Sequence, residues 1–265
     1  MNRAARKTIA EETVAILGRG HYRASGGGQV EIRHALERAV ERTRLYTPDE
    51  PPPPASLLER RTQVEVVNET TLAGARALRD AGLSPAALNF ASAKNPGGGF
   101  LGGSEAQEES LARASGGYAC LRGSPYYDFH RAQKDATYSD HLIVSPEVPV
   151  FRDDEGALLD APWTCTFVTS PAVNVGASKA RVDVASIMRA RMGKVLDAFA
   201  AHGEDAVVLG AWGCGVFRND PAQIAGLYAD ALRTTHRGVF SRVRFSVLDR
   251  NDGGTFRAFA AALAR

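Results

Sequence analysis

The chain has 265 residues with 44% hydrophobic content, and 32 basic against 30 acidic residues give a net charge of +2. This is globular composition with ample material for a core, and so small a net charge gives no bulk signal for nucleic acid or a membrane surface. Cys120, Cys165 and Cys214 are widely spaced and odd in number, which argues against a disulfide framework, and no Cys/His group has zinc spacing. The opening MNRAARKTIAEETVAIL has basic residues but no long apolar stretch behind them. It reads as neither a secretory signal nor a membrane span, so the expectation is a reduced, cytoplasmic protein.

In chain order, residues 4–17 read as an amphipathic helix ended by Gly18 and Gly20. The run Gly26–Ile32 is a glycine turn into either a short strand or a helix start, and 35–43 favours helix. Thr47-Pro-Asp-Glu-Pro-Pro-Pro-Pro54 is a stiff polyproline stretch. It suggests a seam between an N-terminal, mainly helical extension (1–55) and an α/β body (56–265). No period repeats, which excludes a solenoid. From Thr62 onward strand and helix alternate: strands at 63–67 and 87–91, with a helix at 70–81 between them. A helix at 105–115 follows, then strands at 141–144, 148–151 and 164–169, with a turn at Asp153–Gly156. A long helix at 182–199, strands at 206–210 and 243–248 and a closing helix at 256–263 complete the body. This order predicts a sheet covered by helices on both faces, with ligands held at the carboxyl ends of its strands.

The strand 87–91 runs straight into Asn95-Pro-Gly-Gly-Gly-Phe-Leu-Gly-Gly-Ser-Glu-Ala-Gln-Glu-Glu109. Glycines leave backbone amides open to a ligand, and a run of such amides forms a nest suited to an anion. Ser104 and Gln107 have capping-box spacing, which places Glu105, Glu108 and Glu109 on one face of the first helical turns. A flexible linker before an acidic surface helix is the plainer alternative, but two acids exceed what a cap needs. A second glycine turn, Gly213-Cys-Gly-Val-Phe217, follows the strand 206–210. Beyond it Asp220 is a candidate N-cap, with Pro221 at the first helical position and Gln223 in capping-box register.

Gly97-Gly-Gly99, seven residues and then Gln107-Glu-Glu109 is similar to the GGG-X6–8-QEE signature of poly(ADP-ribose) glycohydrolases, most closely the bacterial type. The resemblance implies a macrodomain-like three-layer α/β/α fold with a mixed central sheet, and hydrolysis of the ribose–ribose O-glycosidic bond to release ADP-ribose. It implies Glu109 as acid and then base, with Glu108 fixing ribose hydroxyls. Asn89, Ser92 and Asn95 stand where family residues surround the distal ribose, although each also suits a turn. Gly97, Gly98, Gly99 and Gln107 join them at the ligand, and Gly213, Cys214, Gly215, Val216 and Phe217 correspond to the diphosphate loop. Glu69 is either an acid for the adenine amino group or a first-turn glutamate of the next helix. Ser170–Asn174 resembles a loop lining the pocket, and Tyr126, Tyr127, Phe129 and His130 read first as core. No cofactor, metal or direct nucleic-acid partner is implied; the expected partners are poly(ADP-ribose) or ADP-ribosylated proteins, with ADP-ribose as product. The rival readings are a macrodomain that binds ADP-ribose without cleaving it, and a hydrolase of single ADP-ribose groups. A dehydrogenase is disfavoured because no G-x-G-x-x-G opens a helix after a first strand.

Overall fold

The computed structural model describes residues 1–178, 182–250 and 253–264. The N-terminal part forms helix α1 (Arg3–Arg19), strands β1 (His21–Arg23) and β2 (Gln29–Glu31), helix α2 (Arg33–Glu41) and strand β3 (Arg44–Tyr46). Asn2 caps α1 by accepting from the Ala5 amide, and Gly20 ends it in the left-handed region at φ 76°. β1 and β2 pair antiparallel, so the glycine turn leads into a strand. The body then builds β4 (Gln63–Val67), α3 (Thr71–Asp80), β5 (Pro85–Phe90), α4 (Gln107–Ala114), α5 (Gly117–Leu121) and α6 (Pro125–Ala132). After these come β6 (Leu142–Arg152), β7 (Leu158–Ser170), α7 (Val184–Ala201), β8 (Ala206–Leu209), α8 (Pro221–Arg233), β9 (Arg242–Ser246) and α9 (Gly254–Leu263).

Among the described residues a seven-stranded sheet runs β3-β6-β7-β5-β8-β9-β4. β7, β5, β8, β9 and β4 are parallel, and β6 is antiparallel to both of its neighbours. The sheet is therefore mixed and layered between helices, as expected. The residues show why. Ala86 and Leu88 of β5 and Val207 and Leu209 of β8 join one cluster with Val195 and Leu196 of α7 and Tyr228 of α8. Ala87, Ala206 and Val208 join the opposite cluster, with Leu72, Ala75 and Leu78 of α3 and Leu111 of α4. A strand places successive side chains on opposite faces, so one that is apolar at every position needs a helix on each side.

Two expected strands, 141–144 and 148–151, are one: β6 continues through a bulge between Ser145 and Val148, where Glu147 takes φ 49°. β7 starts at Leu158 rather than Thr164, pairing back along β6. β3 forms one edge of the sheet and β4 the other, so the proline-rich stretch between them is a strap across the whole sheet. Seven strands at about 4.8 Å span about 29 Å, within reach of extended chain at about 3.1 Å per residue. The strap is held on its way: the Ala55 amide donates to Asp197 Oδ1 at 2.7 Å and Arg60 Nε to the Gly238 carbonyl at 2.8 Å. Residues 1–55 and 56–265 thus share one sheet.

The parallel strands all finish on one edge. The loops after β5, β7, β8 and β9, and the segment entering antiparallel β6, collect there, which is where the topology places a ligand.

Candidate active site

β5 delivers Asn89 and Phe90 to that edge, and the chain turns at once. Ser92 Oγ accepts from the amides of Lys94 (3.2 Å) and Asn95 (3.1 Å), and the Asn95 carbonyl accepts from the Gly98 amide at 2.9 Å. Gly97 and Gly98 lie in the left-handed region at φ 69° and 60°. A Cβ on Gly98 would collide with Glu109 Oε1 and lie 3.0 Å from Glu108 Oε2. Conformation and close approach both require glycine here.

Helix α4 begins at Gln107, after a tight turn at Phe100–Gly102, and not at 105. Ser104 is not its cap: Ala106 holds that position, and the Ser104 carbonyl accepts from Arg113 Nη1 at 2.7 Å. The late start has an external cause. Arg3 Nε donates to the Gly102 carbonyl and Arg6 Nε to the Gly103 carbonyl, both at 2.9 Å, so α1 holds this segment out of the helix. Glu105 accordingly lies before the helix, off the Glu108–Glu109 turn, paired with Arg6 at 2.7 Å and Arg250 at 3.3 Å.

The two helix glutamates reach back to the loop that precedes them. Glu108 Oε2 accepts from the Ser92 amide at 2.6 Å, and Glu109 Oε1 from the Gly99 amide at 2.9 Å. Burial falls on Glu108, which is 4% exposed, while Glu109 is half-buried. That burial pushes the Glu108 carboxyl well above the usual carboxylate range; the Ser92 amide draws it back, Glu109 adds to the rise, and Asn89 and Gly97 oppose it more weakly. Glu108 Oε1 and Asn89 Oδ1 have no hydrogen-bond partner among the described residues. Both belong to groups that a sugar hydroxyl could satisfy.

Gln107 spends its amide on the protein. Its Oε1 accepts from the Phe90 amide at 2.9 Å, and its Nε2 donates to the Leu88 carbonyl at 2.7 Å and Thr71 Oγ1 at 3.1 Å. The first signature residue thus clamps β5, α3 and α4 together and fixes the register of the two glutamates behind it.

The second loop follows β8 as expected. Asp220 caps α8 by accepting from the Gln223 amide at 2.7 Å, with Pro221 in the first turn. Gly213 takes φ 76°, and buried Asn219 closes the loop by donating to the carbonyls of Val173 (2.8 Å) and Gly213 (3.0 Å). Among the described residues the amides of Gly215, Val216 and Phe217 make no hydrogen bond. Val216 is 83% exposed, so it offers the site an amide and not a side chain. Cys214 offers less: its amide donates to the Ala211 carbonyl at 3.1 Å, and burial pushes its thiol up to about 12. Asn219 and the α1 arginines were not legible as site residues, because Val173 lies 46 residues from Asn219 and the carbonyls of Gly102 and Gly103 lie 99 and 97 residues from Arg3 and Arg6.

Both loops line one cleft of 1320 Å³, together with Ser92, Asn95, Gly98, Gly99, Glu108, Glu109 and the 213–217 turn. Asn89 lies behind it, buried, with its amide on Thr169 Oγ1 at 3.2 Å. Glu69 also reaches the cleft, but ahead of α3 rather than in its first turn. Its carboxylate accepts from Arg244 at 2.6 and 2.9 Å and from Ser246 Oγ at 2.8 Å. Tyr126, Tyr127 and His130 of α6 are core residues, while Phe129 is 38% exposed. The described residues hold no group of three or more His, Cys, Asp or Glu placed to bind a metal, and no helix long and apolar enough to cross a membrane.

Comparison with known proteins gives a consistent result. The family described as "Microbial-type PARG, catalytic domain" matches residues 10–153. A crystal structure of poly(ADP-ribose) glycohydrolase (PARG) from Thermomonospora curvata is 49% identical, with a TM-score of 0.93 over 98% of this chain and 99% of that one. The same protein bound to the inhibitor ADP-HPD matches at 48% identity and a TM-score of 0.90, covering 97% and 99% of the two chains. The enzyme from Deinococcus radiodurans in complex with ADP-ribose is 45% identical, with a TM-score of 0.79 over 86% of this chain and 96% of that one. No curated protein matches. With the signature glutamates facing a glycine nest and a family match across more than half its length, the chain belongs to the microbial-type poly(ADP-ribose) glycohydrolases.

Proposed function

We propose that this protein hydrolyses the ribose–ribose O-glycosidic bond of poly(ADP-ribose) and releases ADP-ribose. Family membership supports the activity. The observation that carries the chemistry is the pair of bonds from Glu108 and Glu109 back to the amides of Ser92 and Gly99, which set two carboxyl groups side by side on the cleft wall.

In this reading the diphosphate sits on the open amides of Gly215, Val216 and Phe217, and the scissile ribose lies over the first nest. Glu109 uses the oxygen not held by Gly99 to protonate the leaving ribose oxygen as the bond to C1″ breaks. The oxocarbenium-like carbon is then attacked by water, whose proton returns to the Glu109 carboxylate. Glu108, whose buried carboxyl is raised above the usual carboxylate range, holds the ribose hydroxyls through Oε1 together with Asn89. Successive helix residues point about 100° apart, so the two glutamates do not face each other across the sugar as a nucleophile and an acid would. One acid serving both steps fits that geometry, and a covalent glycosyl–enzyme intermediate trapped on either glutamate would overturn it.

The test is incubation with purified poly(ADP-ribose) and, separately, with protein carrying single ADP-ribose groups, quantifying free ADP-ribose. Release from the polymer is expected. Tight ADP-ribose binding with no release from either substrate would make the protein a reader, and release only from the singly modified protein would move the substrate class.

A further inference from the structure

Between α6 and β6, residues 133–141 cross the ligand-facing edge of the sheet as a strap that the chemistry above leaves unused. It is fixed along its length. Asp135 accepts from the Thr137 amide at 2.9 Å and hydroxyl at 2.7 Å, and the Ala136 carbonyl accepts from the Asn174 amide at 2.9 Å. Asp140 pairs with Arg191 at 2.9 Å and Lys194 at 2.6 Å. At the crest Tyr138 takes φ 56°, a left-handed conformation that costs a bulky residue free energy and persists only where its surroundings hold it. Tyr138 lines the cleft, its ring centroid 6.0 Å from that of Phe217 in the second loop. Its hydroxyl oxygen lies 3.5 Å from Asn174 Nδ2, which can only donate, so the phenolic proton is free for another acceptor.

The neighbour of Tyr138 explains how the strain is held. Ser139 Oγ lies 2.8 Å from His130 Nε2 and 2.7 Å from His141 Nδ1. The far end of this chain fixes its proton order. His130 Nδ1 lies 2.8 Å from the Tyr126 carbonyl, which can only accept, so Nδ1 carries the hydrogen and Nε2 of the neutral ring accepts. Ser139 therefore donates to His130 and accepts from His141 Nδ1–H. Burial, the largest cause, pushes His130 down to about 4, in keeping with the neutral ring this order requires. A hydroxyl locked between two imidazoles restricts the backbone that carries Tyr138.

We propose that Tyr138 is a further ligand-contacting residue, its ring closing the cleft beside Phe217 and its hydroxyl donating to a diphosphate oxygen, and that Ser139 is the positioning residue that holds it there. The placement follows from the loop it faces: Phe217 ends the run of open amides, and its carbonyl accepts from the Gly176 amide at 3.2 Å, on the same loop as Asn174. This rests on the ADP-ribose reading of the cleft.

The experiment is calorimetric titration of ADP-ribose into wild type, Tyr138→Phe and Ser139→Ala, with steady-state kinetics on poly(ADP-ribose) and a thermal unfolding scan. A lost hydrogen bond to a charged oxygen should weaken ADP-ribose binding about tenfold in Tyr138→Phe, with the isosteric ring preserving the fold. Ser139→Ala should weaken it similarly, with the change falling on KM more than on kcat. Wild-type affinity in Tyr138→Phe would overturn the contact. Equal losses in KM and kcat with a lowered unfolding temperature in Ser139→Ala would reduce that residue to a structural role and overturn its positioning one. Failure of wild type itself to bind ADP-ribose would instead reject the reading of the cleft.

Discussion

Glu109 accepts the amide hydrogen of Gly99 at 2.9 Å, so the glycine run that opens the site also aims the carboxylate that closes it. The loop and the helix are one device. Gly98, between them, has no room for a methyl group, because its Cβ would enter the space of Glu109 Oε1.

Gly98→Ala is therefore expected to displace Glu109 as well as strain the backbone. The left-handed conformation alone costs about 1–2 kcal/mol for an L-residue, and a misplacement of about 1 Å at a catalytic group lowers turnover about 100-fold. Turnover of poly(ADP-ribose) should fall by at least that much, while thermal unfolding shifts only modestly. Turnover near wild type would show that the contact does not position the acid.

Glu108→Gln separates burial from function. The folded protein holds a proton on Glu108 well above the range where the unfolded chain, with a value of about 4.3, has released it. Over that window the native state binds more protons, so stability falls as pH rises from the unfolded value toward the raised folded one. The amide does not titrate and escapes this loss. Denaturant unfolding between pH 4 and pH 8 should show the variant gaining on wild type as pH rises, and poly(ADP-ribose) turnover should drop because the amide carbonyl is taken by Ser92 and a donor-only nitrogen replaces Oε1 where the ribose hydroxyls bind. Parallel stability curves would contradict the burial argument.

The N-terminal helix enters the chemistry through Arg6, whose side chain is 13% exposed and holds both the Gly103 carbonyl and Glu105. Arg6→Ala should cost about 1–3 kcal/mol of stability and release the segment that feeds α4. Turnover should fall between about 10- and 100-fold, with ADP-ribose affinity changed much less, since Arg6 acts through Glu109's helix and not through the diphosphate loop. Arg6→Lys keeps the charge but not the forked geometry and should recover part of the loss. Unchanged kinetics would confine α1 to a packing role.

The parts of the fold and site legible in the sequence were those specified by neighbouring residues. The capping of α8 by Asp220 with Pro221 behind it is local, and so is the alternation of apolar strands with helices that gives a two-sided sheet. The misread points were set from a distance. Ser104 has the spacing of a cap, but Arg3 and Arg6 hold Gly102 and Gly103 before it, and Arg6 holds Glu105 after it, in another path. β3 has only three residues and exists because β6 pairs with it from far along the chain. α5 and α6, between Gly116 and Gln133, are too short to show a clear period. Gln107 was legible as a signature residue but not as a clamp, since its partners on β5 and α3 appear only once the sheet is built.

The measurement that bears most directly on the mechanism compares wild type with Glu109→Gln, quantifying free ADP-ribose released from purified poly(ADP-ribose) and ADP-ribose binding by calorimetry. Positioned acid–base groups contribute about 10²–10⁴-fold, and here one residue serves both steps. The variant should bind ADP-ribose about as tightly as wild type and lose turnover by about 10³-fold or more. Release at the wild-type rate by Glu109→Gln would remove Glu109 from the chemistry and with it the account of a single glutamate acting first as acid and then as base.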